Sequence, residues 1–258
     1  MGERMRYDPG TFCWAGLATS DPAAATAFYT SVFGWEAEAL SAGQAGTYTI
    51  LRHAGQDVAI LYRQTAQARA AGAPPHWTSY ISVEDAGAAA TRAGQLGGTA
   101  VFREPFDVPG GRVAAIADPA GAVVSLWQPR PRIGATLVND VGALCWNELA
   151  TTDPGPAKSF FGALLGWQYQ AGGSGSATII NAGCRNGSIR AQTGQERGIA
   201  PSWLPHFTVG NAEHAARNAE QAGGHTLSPA AEIRTGRLTV IADQQGATFA
   251  VFEGETEP

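Results

Sequence analysis

Glu148 and His206 are the pair of side chains in this 258-residue chain best placed to do chemistry. Each lies in a segment that alternates like a strand. Trp146 and Glu148 therefore share one face, and Leu204, His206 and Thr208 share another. A carboxylate and an imidazole on facing positions could work as general acid and base, provided their pKa values are tuned to the working pH. The same carboxylate could instead pair with His206 or Arg190, or accept a ligand hydroxyl, because a carboxylate on an inward face is rarely buried alone. Other catalytic templates are missing: the chain has no GxSxG elbow, no phosphate-cradling P-loop and no CxxC. The stretch Gly172-Gly173-Ser174-Gly175 precedes a strand with no helix after it and reads as a loop. Cys13, Cys145 and Cys184 are an odd set without metal spacing, and are expected to be buried free thiols in a reducing cytoplasm.

The elements that must position these residues are written twice. Cys13-Trp14, Leu17-Ala18-Thr19, Asp21-Pro22, Phe28-Tyr29 and Gly34-Trp35 recur as Cys145-Trp146, Leu149-Ala150-Thr151, Asp153-Pro154, Phe160-Phe161 and Gly166-Trp167, at a constant offset (145 − 13 = 167 − 35 = 132). Such a repeat fixes the architecture before any single residue is weighed. It predicts domains at 10–128 and 141–253 joined by a linker at 129–140, each of ordinary domain size. Within the first half, a strand at Thr11–Ala18 leads into a helix started by Asp21-Pro22 and stopped by Gly34. Strands are then expected near Trp35–Leu40, Thr47–Arg52 and Val58–Tyr62. After a connector at Gln64–Pro75 the pattern returns: strand Trp77–Val83, helix Glu84–Leu96, and strands near Thr99–Pro105, Arg112–Ala117 and Ala122–Trp127. Each half thus holds two β-α-β-β-β units, four in all, and the fold class is α+β by tandem duplication. Trp35 and Trp167, just past the helix stops, read as structural. Trp77 and Trp203 are expected beneath the helices.

The T-x-D-P-x-x-x-x-x-F-[YF] helix signatures and the D-[PQ]-x-G-A terminal strands, each present twice, resemble the vicinal oxygen chelate superfamily of glyoxalase I, bleomycin-resistance proteins and extradiol dioxygenases. The resemblance spans Thr11 to Phe252. It implies that paired units curve into a cup-shaped mixed sheet around a ligand, and that metal-using members place four His, Glu or Gln ligands inside. Those positions fall on Trp14, Ile60, Thr78 and Ser125 in the first half, and on Trp146, Ser188, Leu204 and Ala250 in the second. None is a metal donor of that kind, so neither metal nor other cofactor is expected. The twins of Glu148 and His206 are Gly16 and Tyr80, so only the second cup carries the pair.

What fills the cups is aromatic and sparsely polar, as in small-molecule pockets. The expected ligand contacts are Trp14, Tyr80 and Trp127 in the first half, with Arg112 capping the rim (and Arg237 its counterpart). In the second half they are Trp146, Glu148, Arg190, His206 and Phe252. Aromatic walls suit flat aromatic ligands through offset stacking. An acidic chain with a pI near 5.5 disfavours a nucleic-acid partner. No apolar run approaches a membrane span and the first ten residues are polar, so a cytoplasmic protein is expected. Two functions fit. One is metal-independent binding or sequestration of an apolar, aromatic natural product such as a planar polyketide, for self-resistance or beside a tailoring enzyme as partner. The other is a metal-free isomerase, lyase or hydratase using Glu148 and His206 as acid and base. One chain holds units enough for both cups, so monomer and homodimer are both compatible.

Overall fold

The computed structural model describes residues 2–41, 43, 46–196 and 198–257. The first half runs β1 (Phe12–Thr19), α1 (Pro22–Phe33), β2 (Glu36–Ser41), β3 (Thr47–His53), β4 (Gln56–Arg63), α2 (Ala66–Ala70), β5 (His76–Ser82), α3 (Ala86–Gln95), β6 (Thr99–Ala100), β7 (Phe106–Val108), β8 (Gly111–Ala117) and β9 (Val123–Pro129). The second runs β10 (Leu144–Thr151), α4 (Pro154–Leu165), β11 (Gln168–Ala171), β12 (Ala177–Asn181), β13 (Cys184–Ala191), β14 (Ser202–Thr208), α5 (Ala212–Gln221), β15 (His225–Ile233), β16 (Gly236–Ala242) and β17 (Thr248–Gly254). Each half forms one open mixed sheet. The orders are β2-β3-β4-β1-β5-β9-β8-β6, with β7 on β8, and β11-β12-β13-β10-β14-β17-β16-β15. At the centre of each, the first strands of the two units lie antiparallel (β1 with β5, β10 with β14).

Local chemistry explains the repeated unit. Asp21 Oδ1 accepts from the amides of Ala23 and Ala24, Pro22 occupies a position that needs no donor, and Gly34 closes α1 at φ 68°. Asp153, Pro154 and Gly166 (φ 75°) do the same for α4. Two expectations change in detail. The strand expected at Thr99–Pro105 is shortened to β6, and after an irregular stretch the chain pairs with β8 again as β7, beginning just past Pro105. The connector after β4 contains the single turn α2, capped by the Thr65 hydroxyl.

The halves pack through the helix-bearing faces of their sheets. Ser79 Oγ donates to Asn147 Oδ1 at 2.6 Å, Trp77 lies against Phe207 and Phe12 against Trp203. Helix α1 packs on α5, and α3 on α4. The two contacts are related by the internal repeat but differ by one hydroxyl. Tyr29 donates to Asp243 Oδ2 (3.0 Å) and accepts from Trp77 Nε1 (2.9 Å). Its twin is Phe161, which meets Trp203 edge-on as Tyr29 meets Trp77. Without that hydroxyl, Trp203 Nε1 and Asp118 Oδ2 are buried with no hydrogen-bond partner among the described residues. Trp35 and Trp167 are structural: their indole N–H groups donate across the interface to the carbonyls of Gly142 and Gly10, each at 2.7 Å.

Candidate functional site

Strand register decides which side chains share the face of each sheet turned away from the other half. In the first sheet Trp14 lies opposite Tyr80, Gly16 beside Ile60, Ala18 beside Tyr62, and Ser82 beside Trp127. In the second, Trp146 lies opposite His206, Glu148 beside Ser188, Ala150 beside Arg190, and Thr208 beside Phe252. The twin positions are thus Trp14 and Trp146, Gly16 and Glu148, Tyr80 and His206, Ile60 and Ser188, Tyr62 and Arg190, Trp127 and Phe252.

The first cup is filled by its own rings. Trp14 packs edge-on against Trp127 at 5.5 Å and tilted against Tyr80 at 6.4 Å, and none of the three is more than 4% exposed. Tyr80 lies over Gly16, where a Cβ would sit 2.8 Å from the tyrosine ring. The Tyr80 hydroxyl reaches Tyr62, and burial drives both phenols above their ordinary range, so both stay protonated. The glycine is therefore a packing requirement of the aromatic cluster. Gly16→Ala is expected to cost about 1–3 kcal/mol, as other overpacked cores do. Denaturant unfolding would check it, and a variant as stable as wild type would show that the ring moves freely.

Arg112 does not reach this cup. It pairs with Gln128 across β8–β9, one residue out of phase with Trp127, so it stands on the helix-bearing face. There it binds Asp107 and the Pro105 carbonyl. Arg237 is out of phase in the same way, opposite Glu253, and pairs with Glu232.

The second cup holds a connected polar system. Trp146 Nε1 donates to Ser188 Oγ at 2.9 Å, and Ser188 donates on to Glu148 Oε2 at 3.3 Å. Arg190 Nε donates to Glu148 Oε1 at 2.6 Å, and its two terminal nitrogens grip Glu196 at 2.7 and 2.8 Å. The guanidinium holds the Glu196 carboxyl well below its usual range, at about 2. Arg190 is the partner that Glu148 takes, out of the two foreseen. Its side chain remains 25% exposed and that of Glu148 20% exposed, so this network borders solvent. His206 lies deeper, 5% exposed, with Nε2 buried and without a hydrogen-bond partner among the described residues. Burial lowers its pKa below the ordinary 6.5, with Arg190 adding to the effect and Glu148 opposing it, so the imidazole is neutral at pH 7. Phe252 is buried beside Thr208. Glu196 was not foreseen: it sits on one turn of 3-10 helix after β13, and nothing in its local pattern marks it. The three cysteines are free, but the expected burial holds fully only for Cys13: Cys145 is half-buried and Cys184 exposed. Cys13 and Cys145 are poor nucleophiles. Burial pushes the Cys145 thiol up to about 12 and raises Cys13 further.

The residues present do not fit a divalent metal of the kind that related folds use. Among the described residues no three His, Cys, Asp or Glu side chains converge, and a stable site needs three or four donors. In the second cup the carboxylate is already held by Arg190 and Ser188. Among the described residues no helix is long and apolar enough to cross a membrane.

Comparison with known proteins agrees with this architecture. Residues 11–126 match the Glyoxalase/Bleomycin resistance protein/Dioxygenase superfamily, and residues 144–252 match a Glyoxalase-like domain. The protein called "Putative glyoxylase CFP32" in Mycobacterium tuberculosis is 36% identical over 98% of both chains. The Streptomyces peucetius protein called "Anthracycline biosynthesis protein DnrV" is 32% identical, over 96% of this chain and 94% of its own. Among solved structures, the Mn(II)-bound glyoxalase from Novosphingobium aromaticivorans superposes with a TM-score of 0.64 at 14% identity, covering 96% of this chain and 84% of that one. With both halves matched and a full-length relative above one-third identity, the chain belongs to the glyoxalase/bleomycin resistance protein/dioxygenase superfamily.

Proposed function

We propose that the second cup binds a flat, aromatic natural product without a metal, and that the protein serves the biosynthesis of such a compound or protection from it. The observation that carries this reading is the difference between twin cups. One is closed by Trp14, Tyr80 and Trp127. The other keeps aromatic Trp146 and Phe252 at the positions of Trp14 and Trp127 but has His206 for Tyr80, Glu148 for Gly16 and Arg190 for Tyr62. This gives a solvent-bordering Trp146–Ser188–Glu148–Arg190 network and a buried imidazole whose Nε2 has no partner among the described residues. An apolar wall with a few convergent polar groups is the usual makeup of a ligand pocket. The indole of Trp146 offers the stacking surface, Arg190 a fixed cation, and neutral His206 a hydrogen bond to a ligand hydroxyl or carbonyl. The ligand class draws support from the relatives DnrV and DauV of two Streptomyces strains, both called anthracycline biosynthesis proteins.

The test is a titration of a tricyclic or tetracyclic aromatic polyketide, followed by quenching of tryptophan fluorescence. Trp146→Ala and His206→Ala are each expected to weaken binding by about tenfold or more, the loss of roughly 1.4 kcal/mol. Unchanged affinity in both variants would remove the second cup as the site. The lowered pKa of His206 also supports the acid–base reading, since it supplies a free base at neutral pH. In that case the ligand would come back from the titration chemically altered, and Glu148→Gln would abolish the change. Recovery of intact ligand favours binding.

A further inference from the structure

The polar system of the second cup is unbalanced in charge, and the imbalance points to a ligand class. The twin positions isolate the residues responsible. The offset that pairs Tyr62 with Arg190 also pairs Gln64-Thr65 with Gln192-Thr193 and Ala68 with Glu196 (190 − 62 = 196 − 68 = 128). The backbone agrees, because Gln64 N–H donates to the Thr19 carbonyl and Gln192 N–H to the Thr151 carbonyl. Gly16, Tyr62 and Ala68, all uncharged, are thus replaced by Glu148, Arg190 and Glu196. Two carboxylates share one guanidinium. His206 beside them is neutral at pH 7. Among the described residues the network therefore carries one unbalanced negative charge.

The hydrogen bonds are unbalanced in the same sense. A guanidinium has five N–H groups, and Arg190 has committed four of them. Nε donates to Glu148, and the terminal nitrogens donate to both oxygens of Glu196 and to the Ala191 carbonyl. Little of its edge is left for an anion, although its flat face stays available for ring stacking. Glu148 is in the opposite state. Among the described residues one oxygen accepts from Arg190 and the other from Ser188, while each carboxylate oxygen can accept twice. Its side chain borders solvent, so the spare acceptor positions are open to a ligand.

We propose that the second cup selects a flat ligand bearing a positively charged nitrogen, a protonated amine seated on Glu148, and that Glu196 sets this preference by occupying the edge of Arg190. The inference rests on the cup reading above and adds the charge of the ligand to it. An anionic ligand would face two carboxylates and would have to break the two-pronged Arg190–Glu196 pair to reach a donor. A neutral hydroxyl would gain the hydrogen bond to Glu148 without the attraction. In a partly buried site that attraction is screened less than in bulk water, so charge discriminates between ligands of one shape.

The experiment titrates the full chain at pH 7 with the aminomethyl, hydroxymethyl and carboxylate derivatives of anthracene, which share a ring system and differ in charge. Binding is followed by the anisotropy of anthracene fluorescence. The amine is expected to bind about tenfold more tightly than the alcohol, and the carboxylate more weakly than either. Glu148→Gln and Glu196→Gln should each bring the amine down to about the affinity of the alcohol, and leave the alcohol as in wild type. The unchanged alcohol separates a charge effect from damage to the cup. Equal binding of amine and alcohol by wild type, tighter binding of the carboxylate, or parallel loss of amine and alcohol in both variants would overturn the proposal. The cup reading survives those results if His206→Ala weakens all three ligands. No binding of any of them at millimolar concentration, or binding indifferent to both Trp146→Ala and His206→Ala, would overturn the two together.

Discussion

Phe161→Tyr is expected to stabilise the chain by about 2 kcal/mol, a rare gain for a substitution inside a packed core. The repeat supplies the design. At the twin position, one tyrosine hydroxyl accepts from the Trp77 indole and donates to Asp243. Around Phe161 the equivalent donor and acceptor, Trp203 Nε1 and Asp118 Oδ2, are both buried without partners. A buried polar group left unsatisfied costs roughly 1–3 kcal/mol, and a hydrogen bond to a charged group contributes about 1.5–3 kcal/mol. Against this stands the volume of one oxygen in a ring that is fully buried. The geometry at Tyr29 shows that the same frame accommodates it. Tyr29→Phe is expected to lose a comparable amount, since it creates the same two orphans on the other side.

The gain has a pH signature. Burial raises Asp118 above its ordinary 3.8 even though two backbone amides donate to it. A carboxyl with a raised folded pKa binds more protons in the native state, so wild-type stability falls as pH rises from 3.8 through the folded value. A new donor at 161 favours the ionised form. The advantage of Phe161→Tyr should therefore grow across that window and be largest at neutral pH. Denaturant melts of both proteins at pH 3.5 and pH 7 would measure it. A variant less stable than wild type at pH 7, or a gain independent of pH, would mean that the hydroxyl does not reach Asp118.

The repeat made much of this legible. Matching Asp-Pro helix starts and Gly-Trp stops placed α1 and α4, and the twin of every inward residue could be read off by counting. Parity along single strands put Trp14, Tyr80 and Trp127 on one face, and Trp146, Glu148 and His206 on another. The rim position expected for Arg112 rested only on its place after a glycine at the start of β8; opposite Gln128 it falls one residue out of phase with Trp127. Alternation gives faces but not occupancy. That the Tyr80 ring fills the space above Gly16 depends on a rotamer, which only the packed structure fixes. Glu196 was illegible for a different reason. It joins Arg190 by a turn of the chain after β13, and the register rules of a sheet do not extend to a loop.

The second large effect concerns His206, where stability and function are expected to pull apart. His206→Leu replaces a buried group with an unpartnered Nε2 by an apolar one of similar size. By removing an unsatisfied polar group it is expected to stabilise the fold by about 1 kcal/mol or more at pH 7. At the same time it should weaken ligand binding by about tenfold, the loss of one directed hydrogen bond. Residues that cost stability and persist in a site are the expected form of such a trade-off. The pH dependence should separate the two proteins further. In wild type the folded pKa of His206 lies below the ordinary 6.5, so the unfolded chain takes up the proton first. Stability then declines as pH falls below 6.5 and levels off under the folded value. The leucine variant lacks that decline, and its advantage should widen between pH 7 and pH 5. Thermal melts across this range, paired with ligand titrations at pH 7, give both readings from one preparation. A variant less stable than wild type at every pH would show that Nε2 has a partner in the native state, and would withdraw the imidazole from the ligand's reach.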